Sequence, residues 1–427
     1  MSFSEYKTQR IARAAAGLES WLETVRGEDG YRGPSIGLRD TGVAFCGAGY
    51  DWRYEGLLDG FRHMYHATHD TAYLDAAGRS LVHIQSAQLL NGAFRNSYFE
   101  YNPMEGGMPH EPAMLAAVCR TLRCFNAAGR TLPAGAEAMV ERYVNQYLLK
   151  QLWNKKLQTF NDWPASDFQY YSPASVAAVI ELLLEVAERS GTWNELEHYL
   201  SGAAESLLHA QIKSGPLAGG IPPSSRGDTG VSPFLAARCL PALAAMAKKL
   251  DNDVYRIAAT SLVEFLRRQS ALPGGWPKMV FADRPPMHTP IFAGALAGIL
   301  TALHRVELLT GEDIKTPLEF ILAQQTVSGA FRTAAGFGQW RQPSPIPDWR
   351  DVMPVCGWQD KIFALLACLH PGERAPFTPA EAVQEVRIQH RRGAFHEDAQ
   401  SIRIELRGGQ PLFQWNKNQK WPSVCLL

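Results

Sequence analysis

A chain of 427 residues, 46% hydrophobic and 20% charged, has ordinary globular composition and is neither disordered nor fibrous. Its 42 Lys and Arg balance 42 Asp and Glu, so no basic field exists to hold a phosphate backbone, and nucleic-acid binding is not expected. The polar opening Met1-Ser2-Phe3-Ser4-Glu5-Tyr6-Lys7 does not read as a secretory signal, and no run of about eighteen apolar residues reads as a membrane span.

In chain order a single unit recurs: an amphipathic helix, often with Gln near its end, then a glycine turn and a large apolar residue. Trp21-Leu22-Glu23-Thr24-Val25 leads into Gly30-Tyr31, and Ser80–Gln88 into Gly92-Ala93-Phe94. Tyr147–Gln151 leads into Phe160 without glycine, and Ser206–Gln211 into Gly219-Gly220-Ile221. Leu262–Gln269 precedes Gly274-Gly275-Trp276, and Leu318–Gln325 precedes Gly329-Ala330-Phe331. The markers Tyr31, Phe94, Phe160, Ile221, Trp276 and Phe331 fall roughly every 60 residues.

Each interval holds a second helix, expected near Trp52–Thr68, Glu111–Ala127, Pro173–Arg189, Pro233–Leu250, Pro290–Leu309 and Val355–Leu369. Proline near several starts suits the first helical turn, where its missing N–H is no loss. These helices are apolar on nearly all sides, as in Ala293-Gly294-Ala295-Leu296-Ala297-Gly298-Ile299-Leu300, and such helices are buried. Their partners carry charge on one face, as Glu264, Arg267 and Arg268 do. Six alternations of an outer and an inner helix predict an all-α (α/α)6 toroid over residues 1–375.

The tail changes period. Ser401-Ile402-Arg403-Ile404-Glu405-Leu406-Arg407 alternates apolar and charged residues, a half-exposed strand. With Val383–Ile388 and Pro411–Trp415 it predicts a small β-rich extension, residues 376–427, packed on the toroid. The seven cysteines are scattered without a C-x-x-C pair, so neither a disulfide framework nor a zinc site is expected. A reducing, cytoplasmic setting fits them.

The helix-Gln-Gly-aromatic unit resembles the QW-type repeat of squalene and hopene cyclases and of protein prenyltransferase β subunits, across about residues 14–370. The resemblance implies the toroidal fold. The Asp-x-Asp-Asp acid motif of those cyclases is absent, Asp348-Trp349-Arg350-Asp351 being the nearest string, and the prenyltransferase zinc triad has no counterpart. Gly274-Gly275-Trp276-Pro277 also resembles a segment of toroidal pectate lyases and heparosan glucuronyl epimerases, which implies uronic-acid chemistry.

All six glycine-turn loops must emerge at one end of the ring, where the inner-helix N-termini converge and favour anionic groups. These loops carry the candidate catalytic residues Asp51, His110, Glu111, Asp167, Tyr170, Tyr171, Asp228 and Asp351. Candidate substrate contacts are Trp52, Arg53, Glu55, Tyr101, Arg226, His288, Trp349, Arg350 and Trp358. Each has a bland reading: Asp228 and Asp348 as N-caps, Asp51–Arg53–Glu55 as an ion-pair cluster, Tyr170-Tyr171 as core anchors, His110 and His288 as loop residues. His63, His66 and His69 share a helix face but lack an acidic partner, so no metal and no cofactor is expected.

Carboxylates, Arg, His, Tyr and Trp at one mouth suit sugar rings, whose hydroxyls need polar groups and whose faces need flat apolar ones. The expected function is therefore a carbohydrate-active enzyme acting on an acidic glycan or oligosaccharide. Two mechanisms fit. In a lyase or epimerase, Arg53 or Arg350 neutralises the substrate carboxylate while Tyr170, Tyr171 or His110 moves the proton. In a hydrolase, two carboxylates from Asp51, Glu111, Asp167 and Asp351 act as acid and base. The alternatives are a terpenoid cyclase with a non-standard acid and a non-catalytic binding toroid. Oligomeric state is not legible.

Overall fold

The computed structural model describes residues 3–37, 43–45, 47–95, 110–164, 171–227, 230–270, 275–337 and 344–425. Its helices are α1 (Phe3–Val25), α2 (Trp52–Thr68), α3 (Ala72–Ser86), α4 (Glu111–Ala127), α5 (Ala136–Arg142), α6 (Pro173–Ser190) and α7 (Trp193–Ala210). They continue as α8 (Pro233–Ala237), α9 (Leu240–Leu250), α10 (Asp253–Gln269), α11 (Ala293–Arg305), α12 (Gly311–Ala323), α13 (Trp349–Val352) and α14 (Cys356–Cys368). Helix α5 runs on as a π-helix through Tyr143–Leu152.

The inner ring is α2, α4, α6, the α8–α9 pair, α11 and α14. Each packs on the next, and α14 packs on α2, so the ring closes as the six-fold repeat predicts. The outer ring is α1, α3, α5, α7, α10 and α12. The inner helices α2 and α4 start and stop where the apolar pattern places them. The fourth inner helix is broken instead. Pro241 lacks the N–H that a continuous helix would use, so α8 ends at Ala237 and α9 begins afresh at Leu240. The fifth starts at Ala293 rather than Pro290, because Ile291–Phe292 pairs as a strand with Ala334–Ala335.

The conserved geometry of the repeat has a physical cause. Gln88 Nε2 donates to the Gly92 carbonyl at the turn and to the Met139 carbonyl of α5, both at 2.9 Å. Gln211 repeats this with Gly219 (3.1 Å) and Ala258 of α10 (2.8 Å). One amide thus fixes a turn and bolts its helix to the next outer helix. Gly219 has φ +85°, and a Cβ there would lie 2.2 Å from the Ser261 carbonyl oxygen, so only glycine admits this approach.

After α14, five antiparallel strands follow in sequence order: β1 (Ala382–Ile388), β2 (Arg391–Glu397), β3 (Ser401–Leu406), β4 (Pro411–Asn416) and β5 (Val424–Cys425). Val386, Phe395, Ile402, Ile404, Phe413 and Trp415 are buried and join the same core as the outer helix α1. Glu397, buried at the end of β2, accepts from Trp21 Nε1 of α1 (2.6 Å), Ser328 Oγ (2.8 Å) and Lys417 Nζ (3.2 Å). This cluster seats the sheet on the toroid.

Candidate functional site

The first turns of the inner helices converge on the axis at one end of the ring. The indole of Trp52, first residue of α2, stacks on the His110 imidazole at the N-cap of α4, with centroids 4.4 Å apart and planes 9° from parallel. Phe234 of α8 and Trp358 of α14 lie 5.7 Å and 6.2 Å from the Trp52 ring, and Phe292 lies 5.1 Å from Trp358. Segments far apart in sequence therefore meet at one mouth.

Beneath this aromatic layer the axis is filled by ion pairs. Arg238 Nη2 donates to Glu55 Oε2 (2.8 Å), and Lys361 Nζ donates to Asp360 Oδ2 (2.7 Å) and to the Trp52 carbonyl (3.2 Å). Both cations also face the Trp52 ring, the Arg238 guanidinium carbon at 5.5 Å and Lys361 Nζ at 4.8 Å. Deeper still, Arg120 is bidentate on Asp59, through Nε (3.0 Å) and Nη2 (2.7 Å), and reaches Glu181 at 3.4 Å. Glu181 also pairs with Arg305.

The predicted residues fall into distinct settings. Asp51 caps α2 by accepting from Arg53 N (3.0 Å) and holds the Arg53 guanidinium through Nε (2.8 Å) and Nη2 (2.5 Å). Glu111 Oε1 accepts from Phe94 N at 3.0 Å. Tyr171 donates its hydroxyl to the Ser206 carbonyl of α7 at 3.0 Å, an anchor against the outer ring. Asp348 caps α13, accepting from Arg350 N (3.1 Å), and pairs with Arg350 Nε at 2.7 Å. Asp351 accepts from Phe337 N at 3.0 Å. Trp349 is buried, and Trp358 is buried with its Nε1 donating to the Ile36 carbonyl at 3.0 Å. His288 is half-buried and Arg226 exposed, both in loops leading to the inner helices. Asp167, Tyr170, Asp228 and Tyr101 lie outside the described residues.

Trp52, His110, Arg53, Asp51, Glu55 and Trp358 are thus drawn together around the N-termini of α2, α4 and α14. Arg53 and Arg350, expected to neutralise a substrate carboxylate, each hold an aspartate of this chain. The Trp52 and Trp358 rings, expected as sugar platforms, stack on His110 or pack in the aromatic layer. His63, His66 and His69 sit at the far end of α2, where His63 Nε2 lies 2.9 Å from Arg62 Nη2.

Electrostatics divide the titratable groups. Burial pushes the His110 imidazole down to about 3, with Arg238 adding to the effect and Asp51 opposing it. The ring is neutral at physiological pH, and its buried Nδ1 has no hydrogen-bond partner among the described residues. Burial would raise Asp51 and Glu55, but Arg53 and Arg238 respectively hold them below the usual carboxylate range. Asp360 is different: burial pushes it up to about 7 despite Lys361, and its Oδ1 has no hydrogen-bond partner among the described residues. Asp351 is likewise pushed up to about 7, chiefly by burial.

Arg238, Lys361, Asp59, Arg120 and Asp360 are not among the residues that the sequence singles out. A signal for them exists. Each is a charge in an inner helix or, for Arg238, at the end of one, and a buried charge there needs a partner on the axis.

No family model and no curated protein matches the sequence. Solved structures do resemble it. A D-mannose isomerase aligns with TM-score 0.64 at 12% identity over 87% of this chain and 99% of that one. An unsaturated glucuronyl hydrolase specific for heparin aligns with TM-score 0.59 at 13% identity, over 86% and 97%. An α-1,6-mannanase of Salegentibacter sp. HEL1_6, an inactive variant with α-1,6-mannotriose, aligns with TM-score 0.57 at 13% identity, over 85% and 100%. No helix among the described residues is long and apolar enough to cross a membrane. At such identities the likeness is one of fold: an (α/α)6 toroid with distant structural similarity to carbohydrate-active enzymes.

Proposed function

We propose that the chain is a carbohydrate-active enzyme that transfers a proton on a sugar, as an isomerase or epimerase does, at the Trp52–His110 mouth. The carrying observation is that His110 is a neutral imidazole whose buried Nδ1 has no hydrogen-bond partner among the described residues, placed beside two axial cations. The mouth carboxylates Asp51, Glu55 and Glu111 are all engaged by arginine or backbone N–H groups. In this reading His110 takes the proton from the carbon next to the carbonyl of an open-chain sugar. The electron pair moves onto the carbonyl oxygen, and Arg238 and Lys361 stabilise the resulting enediolate. Return of the proton to C1, with the C2 hydroxyl proton passing to O1, turns an aldose into a ketose, and delivery of a proton to C2 from water on the opposite face epimerises it. With Arg53 and Arg350 held by their own aspartates, the reading needs no acidic group on the sugar.

One observation favours hydrolysis as a second reading. Asp360 sits near the mouth with its carboxyl pushed up to about 7, as a general acid requires. The ion-pair column does not favour the terpenoid-cyclase reading, which needs a dry aromatic cavity.

Incubation with aldoses, ketoses and oligosaccharides in D2O, followed by proton NMR, separates these. Isomer formation with deuterium at C1 of a ketose product or at C2 of an aldose product, lost at least a hundredfold in His110→Asn, is the expected result. New reducing ends without deuterium, insensitive to His110→Asn but lost in Asp360→Asn, would replace it with hydrolysis. Sugar binding without turnover would leave a non-catalytic toroid.

A further inference from the structure

A cavity of about 420 Å³ lies on the outer wall, away from the mouth, between α1 and α3. Phe61 and Met64 of α2 form part of its lining, and the segment 370–377, which leads from α14 toward the sheet, contributes His370, Arg374 and Phe377. That segment is pinned by an ion pair from Arg374 to Asp70. The volume is that of a small-molecule site. Most of the lining is apolar, with small residues from α1 and α3 and the rings of Phe61, Tyr73 and Phe377.

Of the charged residues that line it, Glu19 is half-buried in the wall, while Glu23, Arg79 and Arg374 are exposed. Glu19 of α1 accepts the Tyr73 hydroxyl of α3 on both oxygens, at 3.0 Å and 3.1 Å, and forms no salt bridge among the described residues. Its neighbours are otherwise committed. Glu23 is held by Arg26, while Arg374 is held by Asp70. Arg79 is exposed at the rim, and His370 Nδ1 accepts from Gly372 N. Arg374 acts on the Glu19 carboxylate through its charge but forms no ion pair with it among the described residues, and a cation in direct contact would make a charge-assisted bond that gains in a low-dielectric wall.

We propose that this groove is a second binding site, for a small organic cation with an apolar body, whose ammonium group pairs with Glu19 while its chain lies against Phe61, Tyr73 and Phe377. Aromatic faces also favour a cation next to them. The Glu19 carboxyl, pushed up to about 7 mainly by burial, is partly protonated near neutrality. An ammonium ligand therefore binds more tightly as the carboxyl ionises.

The test is titration calorimetry of the intact protein with n-hexylammonium chloride, hexan-1-ol and sodium hexanoate at about pH 6 and pH 8. Hexylammonium should bind best, more tightly at the higher pH, and at least tenfold more weakly to Glu19→Gln. That variant keeps an acceptor for the Tyr73 hydroxyl, and its circular dichroism melt would confirm that it folds. Absence of hexylammonium binding, affinity unchanged in folded Glu19→Gln, or preferential binding of hexanoate would each overturn the proposal. The last would assign the groove to its arginines.

Discussion

Gln325, at the end of the last outer helix, donates its Nε2 to the Ala14 carbonyl of the first at 2.9 Å, bridging 311 residues of chain. The same nitrogen donates to the Gly329 carbonyl at 3.1 Å. The bond that joins consecutive outer helices elsewhere here closes the ring. Gly329 lies against α1 so tightly that a Cβ would fall 2.2 Å from the Gly17 carbonyl oxygen, at φ +97°. Gln325→Ala removes two hydrogen bonds and should cost about 1–3 kcal/mol in urea unfolding. Gly329→Ala adds both a clash and a disfavoured φ, so its midpoint should fall further. A smaller loss for Gly329→Ala would contradict this account of closure.

Glu111 and Gln359 do equivalent work. Glu111 takes the Phe94 amide, and Gln359 takes the Phe331 amide at 2.9 Å while donating to the Phe331 carbonyl at 2.6 Å. Each joins an inner helix to the aromatic marker of the preceding turn and so pinches the two ends of a mouth loop. Glu111→Gln should therefore retain near wild-type stability, while Glu111→Ala should lose about 1–3 kcal/mol by leaving a buried N–H unpaired. Thermal melts of the two variants check the ranking.

On the axis, Arg120 neutralises Asp59, whose carboxyl is held far below its usual range against the effect of burial. Arg120→Met should cost about 3–5 kcal/mol, because a buried carboxylate loses its bidentate partner. Asp59→Asn in the same chain should recover part of that loss. A double-mutant cycle showing additive losses would mean that the pair is not coupled.

Asp351 links stability to pH. Its carboxyl rises from 3.8 to about 7, through burial first, with the nearby Asp348 adding and the Phe337 amide opposing. As pH climbs through this interval the unfolded chain releases the proton before the folded one, so stability falls. Asp351→Asn removes that dependence. Its stability relative to the wild type should therefore be greater at about pH 8 than at pH 5. An equal difference in urea midpoints at both values would refute the assignment.

The repeat was legible because it is local: glutamine, glycine and an aromatic marker sit within a few residues of each other, and the apolar pattern reports burial directly. The period of two in residues 401–407 announced the sheet for the same reason. Arg53 shows the limit. Its position in a mouth loop was readable, but its bidentate hold on Asp51 depends on rotamers that no spacing encodes. Asp360, in α14, and Arg238, between α8 and α9, face the axis only once the ring has closed.

By itself the sequence determined two classes of helix and their six-fold alternation, since periodicity and glycine placement act along the chain. Tertiary structure alone decided that Trp52 lies on His110 and that Arg53 and Arg350 pair with neighbouring aspartates. Those contacts join groups from different hairpins, and their energies exist only at the separations that closure imposes.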